Sequence, residues 1–513
     1  MKRYLSLLLV VAALGSCKTS QPGSSNDGKI TITYVQVNDV YEISPVSGGK
    51  EGGLARLASL KRREQAKNPN TVMVMAGDYL SPSVFNSLKH NGVRVRGAQM
   101  VDAMNAAGFD LAVLGNHEFD ITKEEFQARL NESSFQIISS NSFTPAGPEA
   151  PFKKYSAGDS IALPTYMIRE YRDADGTTAR IGYIGITLPF NKADYVSYTD
   201  PNATAIEIYN GIKDSCDAVV AITHQAMEED EKLAQALPGL ALIMGGHEHD
   251  LRFAKHGKLF ITKAHANGRT AFVNEMTINK RKKRVEVKPV LTNVDETLQA
   301  DPATEQVVQK WMNVANESYS TLGFDADKVV YTGKDSLEAR EIIIRHRPSN
   351  FSEIIVRAMK DAAPEADLVI MNAGSIRLDD VLFAPVSQYD IIRSLPFGGG
   401  IAEVRMKGSL LNQVLRSGLQ NKGIGGYLHT YPVTYDSVGG IFRVRDQPIS
   451  NDAEYRVALT DFLLTGGEAN LEYLKPDNPG IVESYMRIMQ VGHPLSDIRL
   501  AIIQYLLKQE ASR

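Results

Sequence analysis

Residues 111–120 read LAVLGNHEFD. A short apolar run of buried-strand type stops at Gly115, and an asparagine, a histidine and two acids follow within five residues. His117 and Asp120 stand three apart, so on a helical turn they share a face. Asp120 could then accept a hydrogen bond from one ring nitrogen and fix the tautomer of His117, leaving the other nitrogen to face a reacting group.

The chain repeats this device. ITITYVQV ends at Asn38-Asp39, TVMVMAG at Asp78, AVVAIT at His224, and LALIMGG at His247-Glu248-His249. Helical patterns lie between several of these runs, as in GGLARLASLKRREQAK (52–67) and VRGAQMVDAMNAAG (95–108). Alternating strands and helices predict a layered α/β fold, whose ligands gather at the carboxyl ends of the strands. One polar residue after a strand means little. Five strands ending in Asp, Asp, Asn, His and His-x-His supply oxygen and nitrogen donors suited to divalent cations.

GNHEFD at 115–120, GD at 77–78 and GGHEH at 245–249, together with Asp39 and His224, resemble the calcineurin-like metallophosphoesterases. Their order and spacing resemble the 5′-nucleotidase family over nearly all of the chain beyond the N-terminal tether. The resemblance implies a four-layer α/β/β/α metallophosphatase domain over 29–300, an interdomain helix and linker over 301–325, and a smaller α/β nucleotide-binding domain over 326–513. It also implies two divalent metal ions (Zn, Mn, Co or Fe). One would be held by Asp39, Asp78 and His249, the other by Asp78, Asn116, His224 and His247, with His117 and Asp120 as the catalytic dyad.

The sequence departs from that family at Tyr41, where most members have a histidine two residues after the first aspartate. Three roles are open to it. As a phenolate it would ligate a metal, which needs a strong Lewis acid because a phenol titrates near ~10. As a phenol it would hydrogen-bond to a metal-bound water. Or the altered site is weak or empty and catalysis feeble. The second role is preferred, and the remaining ligand positions and the dyad are intact, which argues against a dead site.

DPATEQVVQKWMNVANESYSTLG, with an Asp-Pro start and the chain's single tryptophan, Trp311, predicts the helix that bridges the domains and carries the hinge. Beyond it, arginines and two aromatics on glycine-rich turns suit an anionic group and a planar base. By the family resemblance Arg345 and Arg377 are the substrate- or phosphate-binding arginines, Asn372 contacts the base, and Phe397 and Phe462 clamp it. Glu468 stands where the family has an aspartate that binds ribose hydroxyls. Gly399 stands where relatives often have asparagine, so sugar recognition is expected to differ.

The 513 residues are 43% apolar and 23% charged with a net charge of -4, which is ordinary for globular domains and lacks the basic field of a nucleic-acid binder. The run Lys280-Arg281-Lys282-Lys283-Arg284 reads as a solvated hairpin turn. The N-terminus carries Lys2 and Arg3, an apolar stretch, and LGSC ending at Cys17. This resembles a bacterial lipobox: residues 1–17 are read as a lipoprotein signal peptide cleaved before Cys17, whose lipid would hold the protein on a membrane outside the cytoplasm. Residues 18–28 are a flexible tether. Cys216 is then the sole remaining cysteine, read as a small buried hydrophobe.

The expected function is an extracytoplasmic, lipid-anchored phosphohydrolase that cleaves nucleoside 5′-monophosphates, nucleotide-sugars or polyphosphates by attack of a metal-bound hydroxide. Two alternatives are a 2′,3′-cyclic nucleotide phosphodiesterase or broad phosphomonoesterase, and a nucleotide-binding lipoprotein with impaired catalysis.

Overall fold

A computed structural model describes residues 26–156, 158–190, 193–485 and 488–512. Cys17 and most of the tether lie outside them. The strand Thr71–Ala76 shows how the first domain is layered. Val72, Val74 and Ala76 enter one apolar cluster, while Met73 and Met75 enter another. With side chains alternating across the strand, both of its faces are buried, so the run is apolar throughout.

Two six-stranded sheets are built around such strands. The first runs Arg284–Asn293, Thr270–Asn279, Lys29–Val37, Thr71–Ala76, Leu111–Val113, Gln136–Ile138. The second runs Tyr166–Arg172, Thr178–Thr187, Ala218–His224, Leu242–Gly246, Leu259–Lys263, Arg252–His256. The motif-bearing strands are central and pair in parallel, so their carboxyl ends share an edge of each sheet. Tyr34, Val74 and Val113 of the first sheet meet Tyr183, Ile222 and Met244 of the second. Helices Leu54–Lys67 and Ala98–Ala107 cover the outer face of the first sheet, and Pro201–Ile212 and Met227–Ala236 that of the second. The result is the expected α/β/β/α stack.

The second domain is a five-stranded sheet in the order Leu428–Tyr431, Leu368–Asn372, Glu454–Thr460, Ile401–Lys407, Ile481–Ser484. Helix Gly408–Gln420 packs on one face, and Asn350–Ala362 with Ile498–Ala511 on the other. Between the domains runs helix Pro302–Thr321, started by Asp301, whose side chain accepts from the Thr304 N–H. It packs on the first domain: Trp311 Nε1 donates to Asp102 Oδ2 at 2.9 Å. The basic run is the turn of the hairpin Thr270–Asn279/Arg284–Asn293, with Lys280 paired to Asp217 at 2.7 Å. Cys216 is only partly buried. Among the described residues no helix is long and apolar enough to cross a membrane.

The two sheets are also pinned by a polar contact. Tyr183 Oη lies 3.0 Å from Tyr34 Oη and 2.7 Å from Tyr171 Oη, all three buried. Tyr183→Phe removes the shared hydroxyl and leaves two buried phenols short of a partner. Its expected cost is about 1–3 kcal/mol, read as an earlier urea transition of the first domain; an unchanged midpoint would show that the trio is energetically idle.

Candidate functional site

The strand-end residues converge. Asp39, Asp78 and His224 are buried, with one donor atom from each within 4.8 Å of the others. His224 Nε2 lies 3.1 Å from Asp78 Oδ2 and 3.9 Å from Asp39 Oδ1. The backbone makes this approach possible. At Gly115 a Cβ would lie 2.1 Å from Asp78 Oδ1, and at Gly77 (φ +82°) one would lie 2.5 Å from His224 Nδ1. Asp39, Asp78 and His247 themselves hold φ of 53°, 54° and 89°, a left-handed conformation costly to residues other than glycine. A cavity of about 450 Å³ opens onto the cluster, lined by Asp78, Asn116, His117, His247 and His249 from the first domain and Arg345 and Arg377 from the second.

Hydrogen bonds aim each side chain. His224 Nδ1 meets the Ala76 carbonyl at 2.8 Å, which turns Nε2 toward the carboxylates. The His117 N–H donates to Asp78 Oδ1 at 2.8 Å, and the His247 N–H to Asp39 Oδ2 at 3.0 Å. Asn38 Nδ2 donates to the same Asp39 oxygen at 2.7 Å. His117 and Asp120 lie on the 3₁₀ turn His117–Phe119 and its cap, where residues three apart eclipse, and Nδ1 sits 2.6 Å from Asp120 Oδ2. Ser81 Oγ donates to the same oxygen.

Tyr41 places its hydroxyl among the same ligands: 3.0 Å from His249 Nε2, 3.4 Å from Asp78 Oδ2 and 3.5 Å from Asp39 Oδ1. Burial, then the charges of Asp78 and Asp39, raise the phenol's pKa well above its ordinary value. Burial opposes a charge on His224, but Asp78 and Asp39 outweigh it and lift the ring to about 9. Burial and the neighbouring His224 push His247 down to about 3. Burial opposes ionisation of Asp78 too, yet His224 and His117 hold it below the usual carboxylate range.

The residues present fit a divalent cation. Asn116 Oδ1 is buried without a hydrogen-bond partner, and His224 Nε2 faces only the Asp78 and Asp39 carboxylates; both belong to the predicted ligand set. Buried polar atoms are seldom left so, and a cation beside Asp78 would satisfy both at once.

Several positioning groups escaped the sequence reading. Glu118, inside the GNHEFD motif, is buried and accepts from four backbone N–H groups: Asp78 at 2.9 Å, Tyr79 at 2.7 Å, Leu80 at 3.0 Å, and Gly115. Burial and Asp78 raise its carboxyl to about 7, against those donors. Lys263, fully buried, reaches the carbonyls of Gln225 (2.7 Å) and Gly246 (3.0 Å) and the carboxylates of Glu248 (2.6 Å) and Asp230 (2.9 Å). It ties together the loops that follow the two histidine-bearing strands. The ammonium is intelligible only in three dimensions, whereas Glu118 sat in the quoted motif.

The predicted substrate residues divide between two cavities that share no lining residue among those described. Arg345 and Arg377 join the ligand cavity, where Glu341 lies 2.5 Å from Arg345 Nη2 and 3.6 Å from Arg377 Nη1. Asn372, Phe397, Phe462 and Glu468 line a second cavity of about 740 Å³. There Asn372 Nδ2 donates to Glu468 Oε2 at 2.7 Å. Phe397 is 70% exposed and Phe462 44%, so neither is a core residue.

Residues 32–251 match the family model for the calcineurin-like phosphoesterase, and residues 329–475 that for the 5′-nucleotidase C-terminal domain. The chain is 24% identical over 518 residues to a human 5′-nucleotidase, covering 88% of this chain and 85% of that protein. It is 23% identical over 548 residues to a Vibrio cholerae 5′-nucleotidase, covering 93% and 92%. The crystal structure of a 5′-nucleotidase precursor from Thermus thermophilus has the same fold, with a TM-score of 0.65 at 21% identity, covering 94% and 97%. A sulfate thiohydrolase SoxB structure from Thermus thermophilus also shares it, with a TM-score of 0.62 at 16% identity, covering 95% of each chain.

Glu118→Gln keeps the shape of that side chain but turns an NH₂ toward backbone donors. The expected loss is about 2–3 kcal/mol of stability together with weakened cation binding, measured by denaturation with and without added Mn²⁺. If Mn²⁺ stabilises the variant as much as it does the wild-type chain, Glu118 does not position the site.

Proposed function

A calcineurin-like phosphoesterase domain followed by a 5′-nucleotidase C-terminal domain makes this chain a metal-dependent phosphoesterase of the 5′-nucleotidase type, and from that premise we propose that it hydrolyses nucleoside 5′-monophosphates to nucleoside and phosphate. The observation that carries the reading is a single cavity holding Asp78, Asn116, His117, His247 and His249 of one domain together with Arg345 and Arg377 of the other.

We assign Asp39, Asp78 and His249 to one divalent cation and Asp78, Asn116, His224 and His247 to a second, with Tyr41 as a neutral hydrogen-bond donor beside the first. Bound there, the cations would supply Lewis acidity toward the phosphoryl oxygens and lower the pKa of the attacking water. The protein does the rest. Asp78 stands between the two ligand sets. Arg345 and Arg377 offer fork-shaped donors to the phosphate, each with a buried, unpartnered Nε to spare. Phosphate would displace Glu341 from between them. His117, with Nδ1 held by Asp120, presents its other nitrogen to the phosphate or the leaving oxygen. The water oxygen forms the new bond to phosphorus, the bond to the 5′ oxygen breaks, and the departing oxygen takes up a proton.

We assign Phe397 and Phe462, which line the second cavity with Asn372 and Glu468, to clamping the base, and Asn372 and Glu468 to the base edge and the sugar. A nucleotide loaded in that cavity reaches the cations if the second domain rotates. Helix Pro302–Thr321 packs on the first domain, so we put the pivot just beyond it, at 322–328.

The test is phosphate release from AMP with Mn²⁺ or Zn²⁺, alongside UDP-glucose, 2′,3′-cyclic AMP and p-nitrophenyl phosphate. AMP is expected to be the best substrate, EDTA to abolish turnover, and His117→Ala to lower kcat by about 10²–10⁴-fold. Preference for the cyclic nucleotide, or equal rates on p-nitrophenyl phosphate, would replace the reading with the diesterase or broad monoesterase. Tight AMP binding without turnover would replace it with a binding protein.

We also propose lipid attachment at Cys17, which would place the enzyme outside the cytoplasm. Cells fed labelled palmitate should yield a labelled chain in the membrane fraction and an unlabelled, unanchored Cys17→Ala variant; label retained in the variant would refute it.

A further inference from the structure

We propose that Asp379, contributed by the second domain, is a positioning residue that aims the His249 ring at the Asp39–Asp78 pair, so that the cation site is completed across the domain boundary. The proposal rests on the assignment of His249 as a ligand. His224, by contrast, is oriented by the carbonyl of Ala76 within its own domain. His249 takes its orienting contact from elsewhere. Its Nδ1 lies 2.7 Å from Asp379 Oδ2. A proton on Nδ1, donated to that carboxylate, leaves a lone pair on Nε2, which lies 3.7 Å from Asp39 Oδ1 and 3.0 Å from Tyr41 Oη. A carboxylate behind a ligating imidazole fixes its orientation and raises its basicity.

Asp379 is itself held. Its Oδ1 accepts from the Glu341 N–H at 2.6 Å, and its backbone takes the left-handed φ of 45°. The next residue, Asp380, pairs with Arg269 of the first domain, Oδ1 lying 2.8 Å from Nη1. The same short segment carries Arg377, and Glu341 contacts both substrate arginines. The ring of His249 and the two guanidinium groups are therefore placed by one structural unit. A rotation of the second domain would carry all three out of register together.

The experiment measures Mn²⁺ binding to the full chain by equilibrium dialysis, with electron paramagnetic resonance to detect a spin-coupled ion pair. Wild type should bind two ions, and His249→Ala should lose one. Asp379→Ala should bind that same ion about 10–100-fold more weakly, with loss of the coupled signal. Asp379→Asn keeps one acceptor for Nδ1 but turns its NH₂ toward the Glu341 N–H, so it should recover only part of the affinity. Asp380→Ala, which cuts the neighbouring interdomain contact without touching His249, should match wild type. Wild-type affinity for both ions in Asp379→Ala overturns the proposal, as does an equal loss in Asp380→Ala, which would make the effect one of docking alone. A wild-type chain in which no bound ion responds to His249→Ala overturns the ligand assignment, and this proposal with it.

Discussion

Two carboxylates facing each other without solvent govern this molecule. Asp39 is 0% exposed and Asp78 1%, and the His224 ring and the Tyr41 hydroxyl each approach both of them. Burying a charge costs several kcal/mol even after the surroundings relax, and like charges add to that. Left-handed backbone at Asp39, Asp78 and His247 adds about 1–3 kcal/mol at each. Only a scaffold that over-determines the loops can keep such an arrangement. Here the loops leave the ends of central parallel strands, in sheets locked face to face by an apolar layer. Backbone N–H groups from neighbouring loops then point at the carboxylates. The cost falls on the site, and the strength to meet it comes from the layers beneath.

This division explains what could be read along the chain. The five strands were visible because both of their faces are buried, which makes the runs apolar throughout, and the donors were visible because they stand directly at the strand ends. The pairing of His117 with Asp120 needed only a local turn. Glu118 was within reach but unread: its neighbours in the motif drew the chemical reading, while its four partners lie on two loops nearly forty residues apart. Lys263 and Asp379 had no local signal. A lysine at the end of an apolar strand and an Asp-Asp pair after an arginine look like surface residues until the fold sets them against Glu248 and His249.

The aromatics show the converse. A phenylalanine is more often a core residue than a clamp, and only the resemblance points Phe397 and Phe462 to a base. Their exposure, beside glycine-rich turns that leave a 740 Å³ cavity, agrees with the resemblance. A large apolar ring in water has no packing reason to be there, and a planar ligand would give it one. Sequence alone could not show that these rings and the arginines open onto different cavities, since Arg377 and Asn372 sit five residues apart on one strand-to-loop segment.

Glu341 bears on what the cavity beside the carboxylate pair can admit. An acid seated between two arginines offsets one of their two positive charges and stands where a phosphate would pair with them. An arriving dianion must win the guanidiniums from a tethered monoanion, which it can do by charge and by the number of oxygens it presents. A ligand with a single weak negative charge has less advantage. In the proposed reaction that contact would favour doubly charged terminal phosphates over diesters. On that reading the carboxylate that looks like an obstacle in the cavity would be part of its selectivity, while the backbone N–H of the same residue steadies Asp379.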